Sequence, residues 1–223
     1  MGSSQSQSHM SVKRSNSFGE DRQKRYHQMK KSSSLTDCVI NFGGKGDGGI
    51  SIKCHRMVLS AASPYFDTMF SSSSKMVENR TGRVVLETLD PSAVASLIDY
   101  CYLGELDVPL AKTKEYLEAA HHLQLMELME NFDSFITENI EPRNCIGFMF
   151  VAERYELKSA QKKAEEITIT RLKEVSKLEE FHQLEFKEVT DVIRKSIEQG
   201  VESETVLQAC IDWAFRTTED LAL

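Results

Sequence analysis

The feature that constrains the fold most is the run of residues 54–70, which alternates short apolar blocks with small residues. Its first apolar block covers residues 57–59, and Ser63 followed by Pro64 is typical of a helix N-cap and first helical position. Large side chains then recur at helical spacing, on Tyr65, Phe66, Met69 and Phe70. This pattern predicts two short helices in close contact, with aromatic rings on one face and no catalytic arrangement.

Two strands are predicted before this run. Residues 35–42 alternate in polarity, so one face of the first strand carries a set that we expect to be buried: Thr36, Cys38, Ile40 and Phe42. Residues 50–54 form the return strand, and the glycine-rich residues 43–49 join the two as a hairpin loop.

Between residues 70 and 109 the pattern is still mixed, and after that it is wholly helical. Residues 84–86 and 106–108 are predicted to form two more short strands, and between them Asp90 and Gly104 are placed to start and end a helix. From there the spacing of apolar residues is helical almost to the end of the chain. The sequence therefore predicts an α+β domain, with a small sheet covered by helices, followed by an all-α domain.

The amino-terminal residues are predicted to lie outside the main fold. Residues 1–10 are interpreted as a leader, and residues 11–34 as a flexible basic arm with a short helix over about 19–31. Residues 11–36 carry a local charge of +5 in a chain of net charge −7, which leaves −12 for the rest. An acidic body argues against a nucleic-acid partner. Ser17, three residues after an arginine, is a candidate kinase site.

The lengths of the apolar runs and the spacing of the cysteines indicate in which cellular compartment the protein is expected. Every apolar run is far shorter than the roughly 20 residues of a membrane span, so no membrane partner is predicted. The five cysteines are widely spaced and lie mostly in apolar runs: Cys38, Cys54, Cys101, Cys145 and Cys210. We interpret them as buried thiols in a reducing compartment, and redox sensing by one of them stays open. The expected location is the cytoplasm, with the nucleus and the cytoskeleton as alternatives.

No catalytic, metal or cofactor site is predicted. The glycine-rich loop precedes a strand rather than a helix, and it lacks the Gly-Lys-Ser/Thr of a phosphate loop. His121 and His122 point about 100° apart on a helix, and no cysteine or histidine lies at zinc-finger spacing from Cys54 and His55. A Gly-x-Ser-x-Gly nucleophile elbow is also missing. The sequence favours a non-catalytic protein without a cofactor.

A partner contact is predicted in the polar, serine-rich connection before the third strand. Met76 stands there two residues before Glu78. An apolar side chain beside a carboxylate on an exposed connection offers a small hydrophobic contact next to a hydrogen-bond acceptor.

Several stretches resemble the kelch-like adaptor family in the same order and spacing. Residues 54–70 resemble the core of a BTB (POZ) domain. The other stretches are Thr-Asp-Cys-Val-Ile at 36–40, Ile-Asp-Tyr-Cys-Tyr-Leu-Gly at 98–104, Glu-Ala-Ala-His-His-Leu-Gln-Leu at 118–125 and Ile-Glu-Pro-Arg-Asn-Cys-Ile-Gly at 140–147. The resemblance implies a BTB/POZ domain over 35–140 and the N-terminal part of a BACK domain over 141–223, without a kelch propeller.

The resemblance implies a dimeric, non-catalytic adaptor that recruits cullin-3 to build a ubiquitin ligase. A missing C-terminal, kelch-type part would bind the protein substrate. In the family a hydrophobic-x-Glu motif before the third strand contacts the cullin, and Met76 and Glu78 match it, although the serine run lengthens the preceding loop. Further cullin contacts of the family fall here on Tyr102, His122, Leu123 and Gln124. The first BACK helices, about 142–172, would form a groove for the N-terminal extension of cullin-3.

The resemblance also implies a homodimer, whose interface falls on Tyr26, Met29, Val39, Arg56 and Met57. Asp37 resembles the charged partner of Arg56, and we expect it to stabilise the fold. An exposed hairpin edge supports pairing with a second chain. Two alternatives stay open: a BTB-type transcriptional module that binds corepressors, a class that lacks a BACK domain, and a cytoskeletal kelch-like scaffold.

Overall fold

The computed structural model describes residues 9–13, 20–42 and 50–220. Contacts between Cα atoms divide the chain into two compact units, Met1–Asn131 and Phe132–Leu223. In the described residues the first unit mixes strands and helices, and the second is helical. The division falls within a helix, Met126–Asn139, ahead of the boundary expected at residue 141.

The strands of the described residues are β1 (His9–Lys13), β2 (Cys38–Phe42), β3 (Ile50–Cys54), β4 (Arg83–Leu86) and β5 (Glu105–Pro109). β2 lies between β3, to which it is antiparallel, and β4, to which it is parallel. Cys38, Ile40 and Phe42 are buried as predicted, whereas Thr36 precedes the strand and is half-buried. The predicted hairpin loop, residues 43–49, lies outside the described residues.

The helices of the first unit are α1 (Glu20–Lys31), α2 (Arg56–Ala62), α3 (Pro64–Phe70), α4 (Val77–Thr81), α5 (Pro91–Leu103), α6 (Thr113–His122) and α7 (Met126–Asn139), with a 3₁₀ turn at Leu110–Lys112. Those of the second unit are α8 (Cys145–Arg154), α9 (Lys158–Thr170), α10 (Leu172–Val175), α11 (Glu179–His182), α12 (Phe186–Glu198) and α13 (Ser203–Asp220). Helix α7 runs from the first unit into the second.

The start and stop signals read from the sequence act as predicted. The Ser63 hydroxyl accepts a hydrogen bond from the backbone N–H of Phe66 at 3.3 Å, which caps α3. The Asp90 carboxylate accepts one from the backbone N–H of Ala93 at 2.8 Å, which caps α5. Gly104 ends α5 at φ 68°, in the left-handed region that favours glycine.

The amino-terminal strand β1 was not predicted. Residues 9 and 10 were assigned to a leader and residues 11–13 to a flexible arm, but β1 pairs antiparallel with β5 along its whole length. Met10 lies opposite Val108, and Val12 lies opposite Leu106, and all four side chains are buried. This apolar pairing holds the segment on the first unit. The predicted helix over about 19–31 is confirmed as α1, and Ser17 lies outside the described residues.

The second unit is held by a buried apolar core and by polar helix caps. Asp133 of α7 accepts hydrogen bonds from the backbone N–H groups of Ser159 at 3.1 Å and Ala160 at 2.8 Å, so its carboxylate caps α9. Glu185 and Glu188 form a capping box at the start of α12. Among the described helices, none combines the length and the apolar character needed to cross a membrane.

Four of the five cysteines are buried as predicted, and Cys210 is only half-buried. The buried ones are Cys38, Cys54, Cys101 and Cys145. Cys38 and Cys54 face each other across β2 and β3. Burial raises the pKa of each of these two thiols to about 12. They are therefore protonated near neutral pH, which is the unreactive form of a thiol.

Candidate partner-binding surface

The predicted partner contact lies at the start of α4, a helix of five residues that buries none of them. Met76 is the N-cap residue and is 47% exposed, and Val77 is 59% exposed. Two large apolar side chains thus stand side by side in solvent, followed by the half-buried Glu78. An exposed apolar pair with a carboxylate beside it is suited to a protein partner.

Polar contacts, rather than hydrophobic packing, hold α4 on the first unit. The side-chain amide of Asn79 donates to the backbone carbonyls of Ser71 at 2.9 Å and Ser74 at 3.2 Å, which closes the serine-rich loop. The Arg56 guanidinium donates to the Asn79 carbonyl at 2.7 Å and to the Asp37 carbonyl at 3.1 Å. Gly82 ends the helix at φ 68°. The elongated loop is therefore closed by specific hydrogen bonds.

Tyr65 joins α4 to the end of α6. Its ring lies 5.2 Å from the ring of His122, centroid to centroid. Burial raises the pKa of Tyr65, and the Glu78 carboxylate adds to the shift. We call the group Tyr65, Met76, Val77, Glu78 and His122 the Met76 surface.

Tyr65 was missed as a site residue because its helical spacing with Phe66 and Met69 assigned it to the core. Phe66 and Met69 are buried, but Tyr65 is only half-buried. Pro64 places it in the first turn of α3, next to the Ser63 cap, where a side chain can face solvent. Its position in the first turn of α3, directly after Pro64, is the sequence signal that could have indicated an exposed Tyr65.

Two of the residues expected to contact cullin-3, Tyr102 and Leu123, have buried side chains. Tyr102 is 2% exposed, and its hydroxyl accepts a hydrogen bond from the backbone N–H of His55 at 2.8 Å. Leu123 is fully buried, and its backbone carbonyl accepts a hydrogen bond from the Ser63 hydroxyl at 2.6 Å. The Tyr102 hydroxyl thus holds the N-cap residue of α2, and the Leu123 carbonyl holds the N-cap residue of α3.

Gln124 is exposed, as a contact residue should be, and has φ 53°. It lines a cavity of about 180 Å³ together with Pro64 and Met126. Pro64 precedes Tyr65, so the cavity adjoins the Met76 surface. Gln124 therefore stays a candidate at the margin of the site.

The residues expected at a dimer interface have different surroundings. Met57 is 67% exposed, whereas Tyr26 and Met29 on α1 and Val39 on β2 are half-buried. Arg56 makes the contacts to Asp37 and Asn79 described above, and its place at the dimer interface stays a prediction. The Asp37 carboxylate accepts from the backbone N–H of Arg56 at 2.8 Å, at the first residue of α2, where it stabilises the fold as expected.

The second unit carries a groove of about 390 Å³ between α8, α9 and α12. Apolar side chains in it are Met149, Phe150, Ile169 and Val192. Carboxylates line it as well, on Glu153, Glu165, Glu185, Glu188 and Asp191. The groove includes the helices expected to receive a cullin extension, and α12 adds a wall that the sequence did not predict.

Family models identify both units. The BTB/POZ domain model matches residues 26–140, and the model of the BACK domain, "BTB And C-terminal Kelch", matches residues 145–221. The first match covers more than half of the chain, and the chain therefore belongs to the BTB/POZ domain family, with a BACK domain after the BTB domain. The predicted fold class is confirmed.

The chain is homologous to Kelch-like protein 38. The protein from Homo sapiens is 31% identical over 196 residues, which are 88% of this chain and 32% of the relative. The protein from Mus musculus is 30% identical over 202 residues, which are 91% of this chain and 33% of the relative. The chain thus spans about one third of the length of these relatives. Among solved structures, the BTB domain of zebrafish PATZ1 aligns with 20% identity and a TM-score of 0.46, over 55% of this chain and 93% of that domain.

Proposed function

We propose that this chain is the dimerising and cullin-binding part of a substrate adaptor for a cullin-3 ubiquitin ligase. The BTB and BACK domains and the homology to Kelch-like protein 38 support an adaptor type of protein. The ligase chemistry belongs to other subunits, and the protein substrate binds to a kelch-type part of the whole protein. The expected location is the cytoplasm, with the nucleus and the cytoskeleton as alternatives.

The observation that carries the proposal is the exposure of Met76 and Val77 on a helix that buries no residue. These two side chains leave about half of their surface in water, and beside Glu78 they form a small hydrophobic patch with a hydrogen-bond acceptor. Tyr65 and His122 extend this patch with two aromatic rings. Aromatic and methionine side chains of this kind are enriched at protein interfaces.

The groove of the second unit supports a second contact. Five carboxylates and two lysines, Lys187 and Lys195, line it, and Lys195 pairs with Glu165. The remaining excess of carboxylates and the apolar side chains suit an extended segment that carries apolar and basic residues. We assign it to the N-terminal extension of cullin-3. The Met76 surface and the groove would then bind two parts of one partner.

Dimerisation is supported by exposed apolar residues near the start of α2. The His55 ring lies at 2.8 Å from the Ser34 carbonyl, and this contact brings together the segments that carry Leu35, 79% exposed, and Met57. Covering them with the same face of a second chain removes both from water, as a two-fold symmetric dimer does. We keep Tyr26, Met29 and Val39 as the further residues of this interface.

The BACK match weighs against the alternative of a corepressor-binding transcriptional module, because that class lacks a BACK domain. The cytoskeletal alternative concerns what the whole protein binds through its other parts. It is compatible with the same cullin-binding surface.

Calorimetric titration with the N-terminal domain of cullin-3 tests the proposal. Met76→Glu places a carboxylate in the apolar patch and should weaken binding by about 30-fold or more, since central interface residues typically contribute about 2 kcal/mol or more. Val85→Glu is the matched control, because Val85 is 55% exposed, against 47% for Met76, but lies on β4. Met76→Glu binding with wild-type affinity would rule out this surface.

A further inference from the structure

We propose that Arg56 is a positioning residue for the Met76 surface, which it serves by fixing α4 and the serine-rich loop. The inference rests on the proposed function, in which that surface binds cullin-3. The Arg56 side chain does not belong to the Met76 surface. Arg56 would influence partner affinity indirectly, by holding α4.

The first step is that α4 is attached mainly by hydrogen bonds. The backbone N–H of Val39 donates to the Gly82 carbonyl at 2.7 Å and fixes the C-terminal end of the helix, whereas Arg56 and Asn79 act on its centre. A helix of five residues is far too short to be stable by itself, and no side chain of α4 is buried. Met76, at its N-cap, makes no side-chain capping bond. The orientation of Met76 and Glu78 therefore depends on hydrogen bonds from outside the helix.

The second step is that the Arg56 guanidinium bridges two segments at once. Nε donates to the Asp37 carbonyl and Nη1 to the Asn79 carbonyl, so the segment before β2 is tied to the centre of α4. The guanidinium carbon lies 5.2 Å from the centre of the Phe70 ring, a cation–π contact that fixes its plane. A lysine has one donor group and cannot occupy both positions of this fork.

The third step is that Asn79 passes the constraint to the serine-rich loop. Its carbonyl accepts from Arg56, while its side-chain amide donates to the carbonyls of Ser71 and Ser74. One residue thus sets both the position of α4 and the closure of the loop that leads to Met76. Because these hydrogen bonds close the loop, its added length is compatible with an ordered Met76 surface.

The fourth step is that the chain leaves room for the guanidinium. A Cβ at Gly82 would lie 2.8 Å from Nη2 of Arg56 and 2.8 Å from the Asp37 carbonyl oxygen. Both distances are shorter than ordinary contacts between such atoms. Glycine at position 82 therefore leaves space for the Arg56 guanidinium and also allows the left-handed backbone conformation.

The fifth step separates positioning from folding. α2 and α3 keep their own attachments without the guanidinium, through the buried side chains of Leu59, Phe66 and Met69. The Asp37 carboxylate accepts its hydrogen bond from the backbone N–H of residue 56, so this bond survives replacement of the Arg56 side chain. Loss of the guanidinium should free α4 while the rest of the unit stays folded.

Three variants of the whole 223-residue chain test the inference. Arg56→Met keeps an apolar stem over Phe70 but removes every donor, and Arg56→Lys keeps the charge but not the fork. Arg83→Met removes an exposed arginine from β4 and is the control for charge. Each is measured by hydrogen exchange of residues 74–82, by calorimetric titration with the cullin-3 N-terminal domain, and by light scattering.

We expect faster exchange confined to residues 74–82 and about tenfold weaker cullin binding for Arg56→Met, an intermediate effect for Arg56→Lys, and wild-type behaviour for Arg83→Met. Unchanged exchange in Arg56→Met would overturn the inference, and so would faster exchange with unchanged affinity. Faster exchange throughout the first unit would show a general structural role and would overturn it too. If the wild-type chain itself does not bind cullin-3, the proposed function fails, and the exchange data still decide whether Arg56 fixes α4.

Discussion

Helices α3 and α4 are separated by six residues, yet they are held in opposite ways. α3 begins at a serine N-cap and buries Phe66 and Met69 in the core of the first unit. α4 begins at Met76 without a capping bond, buries nothing, and is attached by hydrogen bonds of Arg56 and Asn79 and by the bond from the Val39 N–H to the Gly82 carbonyl. Hydrophobic burial fixes the first helix, and a few hydrogen bonds fix the second.

α3 follows the rules of helix stability, whereas α4 departs from them at its N-cap. Serine, threonine, asparagine and aspartate are the favoured N-cap residues, and methionine is a poor one. A local rule broken on an exposed helix is typical of a functional site, where the side chain serves a partner rather than the fold. This reasoning supports Met76 as a contact residue independently of the family resemblance.

The largest effect on stability should come from the buried helix. Phe66 is fully buried, and Phe66→Ala should reduce the free energy of unfolding of the first unit by about 3–5 kcal/mol. Chemical denaturation followed by circular dichroism measures this loss. Thr68→Ala, at an exposed position of the same helix, should change it by less than about 0.5 kcal/mol. Equal losses in the two variants would mean that α3 is not anchored by its apolar face.

Gly82→Ala should have the next largest effect. The left-handed backbone alone costs a residue with a Cβ about 1–2 kcal/mol, and the overlap with Arg56 adds to this cost. Gly200→Ala is the matched control, since Gly200 has φ 78° but nothing within 4 Å of an added Cβ. Hydrogen exchange resolved by peptide should show a larger loss of protection around residue 82 than around residue 200. Equal losses would remove the argument that Gly82 makes room for the guanidinium.

Asp90→Ala should cost about 1 kcal/mol, because it removes the cap of α5. Hydrogen bonds from the Ser92 hydroxyl and the Ala93 amide hold the pKa of Asp90 below its ordinary value. A lowered pKa means that the folded state favours the charged carboxylate, so this contribution is present at neutral pH and is lost as the pH falls below about 4. Asp90→Asn keeps a capping oxygen and should be nearly neutral at pH 7. Thermal unfolding at pH 7 and pH 3 checks both expectations.

Met76→Ser should have the smallest effect on stability and a large effect on binding. Serine at the N-cap of α4 adds the capping bond that methionine lacks, so the unfolding temperature should stay the same or rise slightly. Cullin binding should fall, because the apolar contact is lost. A stability loss of more than about 1 kcal/mol would place Met76 with the packed residues of α3 and would break the contrast between the two helices.

The helix ends and the buried face of β2 were predictable because short local signals determine them. Ser63, Asp90 and Gly104 act within one helical turn, and period-two alternation marks Cys38, Ile40 and Phe42. β1 was missed because its partner, β5, is nearly one hundred residues away in sequence. Pairing between distant strands leaves no local signal in a five-residue segment, and the prediction divided this one between the leader and the flexible arm.

The burial of Tyr102 and Leu123 was predictable from periodicity, whereas the family resemblance alone names them as contacts. Tyr102 lies four residues after Ile98, and Leu123 three after Ala120, so helical spacing already indicated that both face the core. The structure agrees with the spacing. The network of Arg56, Asn79 and Gly82 was beyond reach, since its hydrogen bonds involve backbone carbonyls that no side-chain pattern reveals.

The most direct test of the central claim is the mass of the chain in solution, measured by light scattering with and without the N-terminal domain of cullin-3. We predict a dimer alone, and a complex of two chains with two cullin domains after mixing. A dimer whose mass does not change when the cullin domain is added would contradict cullin recruitment.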